Sequence, residues 1–381
     1  MIYRAAIYAW FAIFGIVMAT WAVHLPALQT ATGISTSMLG TTLLILGAGA
    51  IAGMRLSGRL SDRFGPRWVA VYTVGAMALA IVPPLAAASW PWAAAGAFVL
   101  GLAIGSAEVA MNAAAVIAER LYERPLMASF HGVFSASNVA GSLLSAAAFA
   151  LHASTLTTAL VASGVCLAVG AAAAAGLRRC PADLDIAVPV TGTVAARDPT
   201  APVSRGRVAV LCLLAFLFLL AEGSAMDWSS MHAQRELGET PTAGALAFGS
   251  FVGAMTIGRF SIDRLSARYG PVVIVRFGAA VAVVGFGTVV MSTALPLTLA
   301  GWALAGLGVA GGVPQVFSAA GNLGDGSARH LSLVVGVGYL AILAGPGVLG
   351  WVAEATNLAI ALILPMVAAV VCALAAPAVR R

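Results

Sequence analysis

Three carboxylic acids, Glu108, Glu222 and Asp227, stand inside long apolar runs. A charged side chain at the centre of a membrane-spanning helix costs about 2.5–3.5 kcal/mol on insertion scales, so each acid needs a compensating role. Low polarity favours the neutral form of a carboxyl group, and an acid that gains and loses a proton in such a place can carry it across. Asn112 follows Glu108 by one helical turn on the same face. Glu222 and Asp227 lie five residues apart in one run, which separates them by roughly 140° around a helix. Other roles for these acids are an interhelical anchor for Glu108, a domain-interface hydrogen bond for Glu222 and an ion pair with Arg235 for Asp227.

Neutral polar and aromatic side chains share the apolar runs. Trp21 and His24 are three residues apart, His131 and Asn138 fall in one run, and Gln315 and Tyr339 in two others. Rings with amide and carboxylate partners suit a polyhydroxylated solute, although Trp near a membrane surface also serves in the aromatic belt. His152 and His232 sit near the ends of their runs and are expected to be solvated. The chain shows no nucleophile–base pair, no phosphate-binding glycine loop and no metal-ligand spacing, so neither an enzyme nor a cofactor or metal is expected.

A second motif is a loop of arginines that occurs twice. Gly58-Arg59-Leu60-Ser61-Asp62-Arg63-Phe64-Gly65-Pro66-Arg67 is echoed 205 positions later, where Gly65-Pro66 meets Gly270-Pro271 and Arg59 and Arg63 meet Arg264 and Arg268. Gly101-Leu102 then meets Gly306-Leu307, and Trp21 meets Trp228 after a two-residue gap. A register shared over this much chain indicates a duplicated half.

Lipid must be the solvent around the elements that hold these residues. The chain has 381 residues, 61% hydrophobic and 9% charged, with mean hydropathy +0.99; soluble domains carry about 25% charged residues. The net charge of +6 comes from arginines at the ends of apolar runs and not in one patch, which argues against a nucleic-acid partner. The four cysteines form no metal or disulfide pattern.

Twelve runs are long enough to span a bilayer: 5–28, 36–58, 68–89, 92–118, 126–152, 154–177, 207–233, 242–262, 272–292, 295–322, 330–353 and 357–378. The first is too long for a signal-peptide core. This predicts an all-α membrane protein of two pseudo-symmetric six-helix bundles, residues 1–177 and 207–381, joined by a cytoplasmic linker over 178–206. Of the 20 arginines, only Arg235 falls on the side opposite the termini. The positive-inside rule therefore predicts a multi-pass inner-membrane protein with both termini cytoplasmic.

This plan resembles the major facilitator superfamily. The loop matches that family's G-x-L-x-D-R-x-G-x-R signature through Gly58, Leu60, Asp62, Arg63, Gly65 and Arg67. The resemblance implies a conformational latch formed by Gly58, Arg59, Asp62, Arg63, Gly65 and Arg67. In the second copy Ala267 replaces Asp62, and Asp263 lies one turn earlier.

The run Gly101-Leu102-Ala103-Ile104-Gly105-Ser106-Ala107-Glu108 with Asn112, together with Pro314, Phe317, Ser318 and Asn322-Leu323-Gly324, is similar to the fucose–proton symporter branch. That branch's first-helix aspartate falls on Ala22. The resemblance implies proton-coupled symport of a small polar, sugar-like solute by a monomer. Its proton sites would be Glu108 and one of Glu222 and Asp227, and its solute contacts Trp21, His24, Asn112, His131, Asn138, Gln315 and Tyr339. Proton-driven efflux of amphipathic compounds is the alternative. No Pro follows Gly141 in the fifth run, where drug antiporters of the family usually carry a G-P-x-x-G motif.

Overall fold

The computed structural model describes residues 2–123, 126–179, 204–323 and 327–380. The core of the expected linker, 180–203, lies outside the described residues. Twelve helical spans are long and apolar enough to cross a membrane, and no strand occurs among the described residues. The chain divides into two compact units, 1–190 and 191–381.

The first unit holds α1 (Ile2–Thr32), α2 (Thr36–Phe64), α3 (Pro66–Ala80) with the one-turn α4 (Val82–Leu85), α5 (Trp90–Tyr122), α6 (Met127–Ala150) and α7 (Thr155–Leu177). The second holds α8 (Arg205–Arg235), α9 (Pro241–Tyr269), α10 (Pro271–Met291), α11 (Leu295–Val309), α12 (Gly312–Gly321), α13 (Ser327–Ala355), α14 (Leu358–Ala361) and α15 (Ile363–Ala375). Side-chain caps begin several of them. Ser35, Ser154, Thr240 and Asn357 accept the N–H three residues on. Two acids do similar work between elements. Glu119 Oε1 accepts the N–H groups of Leu126 and Met127 at 2.7 and 2.8 Å, and Glu236 accepts that of Leu358 at 2.9 Å.

The repeated Gly-Pro has a backbone cause. Gly65 and Gly270 close α2 and α9 with φ of 80° and 83°, a left-handed region that glycine enters at no steric cost. Their N–H groups bond Ser61 and Ser266 carbonyls. Pro66 and Pro271 then start α3 and α10 at the first helical position, where no N–H is needed.

The expected single run 295–322 is interrupted at Ala310–Gly311, which separates α11 from α12. Pro314 has no N–H to give the Ala310 carbonyl, and the Gly311-Gly312 pair lowers the cost of turning.

Glycine sets the closest helix contacts. A Cβ added at Gly49, Gly53, Gly101 or Gly105 would lie within 3 Å of the carbonyl oxygen of Phe98, Leu102, Leu46 or Ala50, so α2 and α5 touch backbone to backbone. Ser57 Oγ donates to the Ser106 carbonyl at 2.7 Å and Ser106 Oγ to the Gly53 carbonyl at 3.1 Å, locking the register. The second unit repeats the contact between α9 and α11, where Gly306 meets the Phe251 carbonyl. Phe251 and Gly306 are the 205-position counterparts of Leu46 and Gly101.

Between helices in lipid, close contact of this kind replaces the hydrophobic effect as the attraction. Gly101→Ala and Gly105→Ala should therefore overpack the seam and lower the melting temperature, at a cost of about 1–3 kcal/mol each. Gly75→Ala and Gly164→Ala, with nothing within 4 Å of the new methyl, should leave it unchanged or raise it. A thermal-shift series on the purified full chain separates the two groups.

Candidate functional site

In the first unit α1 and α6 run parallel and meet turn by turn. The His131 ring stands edge-on to Phe11 at 5.0 Å, a Cβ at Gly15 would press on Phe134 and Asn138, and His24 lies 4.7 Å from Phe149. Three of the expected polar residues thus fall on one seam. His131 is exposed. Asn138 is buried, its Nδ2 donating to the Phe134 carbonyl at 3.3 Å, and its Oδ1 has no partner among the described residues. His24 is fully buried, and its Nδ1 lies 2.8 Å from the Thr20 carbonyl. A carbonyl only accepts, so Nδ1 carries the hydrogen and Nε2, unpartnered among the described residues, keeps its lone pair. Trp21 is buried beside it, with Nε1 likewise unpartnered.

Glu108 and Asn112 come from α5, which the Gly–Gly seam fixes against α2. Asn112 Nδ2 donates to the Glu108 carbonyl at 2.8 Å, and both residues are half-buried. Tyr3 on α1 reaches the Ala114 carbonyl of α5 at 3.4 Å. The two helices are antiparallel, so Glu108 lies about 9 Å further in, near the level of Tyr8 and Phe11.

In the second unit Glu222 of α8 is ion-paired. Arg259 of α9 donates to its carboxylate at 2.7 Å, and the two side chains are 32% and 15% exposed for Arg259 and Glu222. Helical side chains lean toward the N-terminus of their own helix, so these two reach toward each other from opposite directions. Asp227 is half-buried, with no hydrogen bond or ion pair among the described residues. Gln315 of α12 is buried, and its Oε1 accepts from Ser266 Oγ at 3.0 Å. Tyr339 is exposed. His152 is exposed as expected, but His232 is buried against Trp302, ring centroids 6.0 Å apart, because α11 covers this end of α8.

A family model described as Major Facilitator Superfamily matches residues 5–346. The chain belongs to the major facilitator superfamily. It is 31% identical over 354 residues to an uncharacterised MFS-type transporter of Yersinia pestis, a match covering 92% of this chain and 89% of that protein. The crystal structure of the nucleoside transporter NupG matches with TM-score 0.72 at 12% identity, covering 100% of this chain and 99% of that one. That of a D-xylose–proton symporter matches with TM-score 0.72 at 12% identity, covering 97% and 95%. At these identities the likeness to the solved structures is one of fold. The protein is a multi-pass membrane transporter of this superfamily and not an enzyme.

The superfamily signature forms the turn between α2 and α3. Arg59, Asp62 and Arg63 are exposed, Arg67 is buried, Gly65 supplies the left-handed turn, and Gly58 has open space where a Cβ would sit. The Arg63 and Arg67 guanidinium groups lie over the Phe64 and Trp68 rings, each 5.1 Å from the centroid.

In the sequence Glu222 reads as a proton site or a domain-interface hydrogen bond, and its pairing with Arg259 was missed. The repeat holds the signal: the counterpart of Arg259 is Met54, and that of Glu222 is Gly15. Both charges exist in one half only, and adding them together is how a membrane interior tolerates them. Glu222→Gln and Arg259→Gln should each destabilise the purified transporter by leaving the other charge unbalanced. The double variant should recover part of the loss, with a coupling of about 1 kcal/mol or more in a thermal double-mutant cycle. Simple additivity would show that the pair contributes nothing.

Proposed function

We propose that this transporter takes up a small polar, sugar-like solute across the cytoplasmic membrane together with protons. The observation that carries this reading is the division of labour among the span acids. Glu222 is balanced by Arg259, whereas Asp227 has no ion pair among the described residues and Glu108 sits half-buried one turn from Asn112. Glu108 and Asp227 are then the proton carriers, one from each half, and Glu222 takes a structural or gating role.

The solute contacts are drawn from Trp21, His24, Asn112, His131, Asn138, Gln315 and Tyr339. Among them the exposed His131 and Tyr339 and the half-buried Asn112 are best placed to receive a solute, because Gln315 is engaged by Ser266 and Trp21 and His24 are enclosed. That one fold neighbour is a D-xylose–proton symporter supports the pairing of sugar and proton.

Alternating access follows from movement of one six-helix half against the other. Gly58, Arg59, Asp62, Arg63, Gly65 and Arg67 serve as the latch on the cytoplasmic side. Both termini are cytoplasmic, by the distribution of arginines, and the working unit is the monomer.

The test is uptake into proteoliposomes under an imposed proton gradient, with sugars, polyols and nucleosides as candidate solutes. Wild type should accumulate one of them only when the gradient points inward. Glu108→Gln and Asp227→Asn should each abolish gradient-driven accumulation while leaving solute–solute exchange. Full accumulation in both variants would sink the assignment of the carriers. Outward, gradient-driven movement of amphipathic dyes with no solute uptake would replace the reading by efflux.

A further inference from the structure

The turn between α2 and α3 carries a feature that the transport reading does not use. Leu60 and Phe64 at the end of α2, with Trp68, Val69, Tyr72 and Thr73 at the start of α3, line a groove of about 450 Å³, within the size range of roughly 300–1,000 Å³ typical of ligand sites. The lining is largely apolar and aromatic, and the Thr73 hydroxyl already donates to the Val69 carbonyl at 2.7 Å, so the interior suits an apolar guest. Phe64 and Tyr72 are 54% and 72% exposed and form an aromatic rim.

The rim is also cationic. Arg63 lies over the Phe64 ring and Arg67 over the Trp68 ring, Arg59 is exposed one turn before Arg63, and Asp62 is the single acid in this turn. The exposed Arg63 guanidinium, stacked on an aromatic face, presents its in-plane N–H groups to a bidentate acceptor such as phosphate. The spans Thr36–Phe64 and Pro66–Leu85 meet here, so the groove sits at the depth where acyl chains give way to headgroups.

From this juxtaposition we infer a binding site for an anionic phospholipid. One acyl chain fills the groove and the phosphate is held at Arg59 and Arg63. A zwitterionic headgroup brings an ammonium to the same arginines and is disfavoured. The second half keeps the counterpart of the Arg63–Phe64 stack in Arg268 over Tyr269 at 5.3 Å, but Val272 and Val273 stand at the counterparts of Arg67 and Trp68, so it lacks the second stack and the indole wall of the groove.

Because Arg59 and Arg63 also belong to the proposed latch, binding and not transport is the readout. The full-length protein in detergent is offered an equimolar mixture of phosphatidylglycerol and phosphatidylcholine with matched chains, and retained lipid is measured by native mass spectrometry. Phosphatidylglycerol should be preferred about tenfold, equivalent to about 1.4 kcal/mol. Thr73→Trp, which fills the groove, should reduce retention of both lipids, and Arg59→Gln with Arg63→Gln should remove the preference while phospholipid is still retained. Equal retention of the two lipids by the wild type would overturn the proposal. So would unchanged selectivity in the arginine variant, or displacement of the bound lipid by millimolar inorganic phosphate alone, which would mark a plain anion site.

Discussion

The closest contacts between α2 and α5 are made backbone to backbone. In water two helices attract because their apolar faces leave solvent; in lipid that gain vanishes, and what remains is dispersion at close range and the few hydrogen bonds that cross. Gly49, Gly53, Gly101 and Gly105 permit the approach, and Ser57 and Ser106 fix its register. Two elements of the proposed mechanism hang from this seam. Glu108 lies three residues beyond Gly105, so its position is set by the glycines, and the arginine turn begins one residue after Ser57. A transporter needs its moving parts to be rigid bodies, and a seam closed backbone to backbone and pinned by two short serine side chains is a rigid one.

Duplication preserved this scaffold and let the charges diverge. The backbone contact recurs at Gly306 and Phe251, and the glycine–proline turn recurs at Gly270-Pro271. Nothing in the first half matches the Glu222–Arg259 pair. Its counterpart Gly15 is instead spent on close packing against α6, near Phe134 and Asn138. The same place on the first helix of each half therefore serves packing in one and charge in the other, and neither could serve both: a carboxylate at Gly15 would meet the Phe134 carbonyl, also an acceptor.

Much of the fold was legible because lipid imposes a simple rule, about 20 apolar residues per span, and because arginines mark the ends. Nine spans were placed as unbroken helices within several residues, and Gly65-Pro66 marked its turn because only glycine reaches φ of 80° cheaply. The break between α11 and α12 was hidden, since apolarity continues across Ala310–Gly311 and composition is blind to backbone hydrogen bonds. The buried position of His232 was hidden for a related reason: distance from a run's end says nothing about whether a neighbouring Trp302 covers it. Pairings such as Ser266–Gln315 and Arg259–Glu222 join residues 49 and 37 positions apart, and only the second left a trace, in the mismatch between the halves.

That mismatch bears on how three span acids divide their roles. An acid in a low-polarity interior must be balanced by a fixed cation or by a proton. The fixed cation gives a permanent pair, whose two side chains become a strut between α8 and α9. The proton gives a reversible neutralisation, useful only where no arginine competes. With Arg259 occupied by Glu222 and no cation bonded to Asp227 among the described residues, the proton role proposed for Asp227 would put both solutions on one helix, five residues apart. The strut holds α8 against α9 at one level, so that the change of charge proposed for Asp227 would act on a helix already braced and be transmitted along it instead of being absorbed by a local shift.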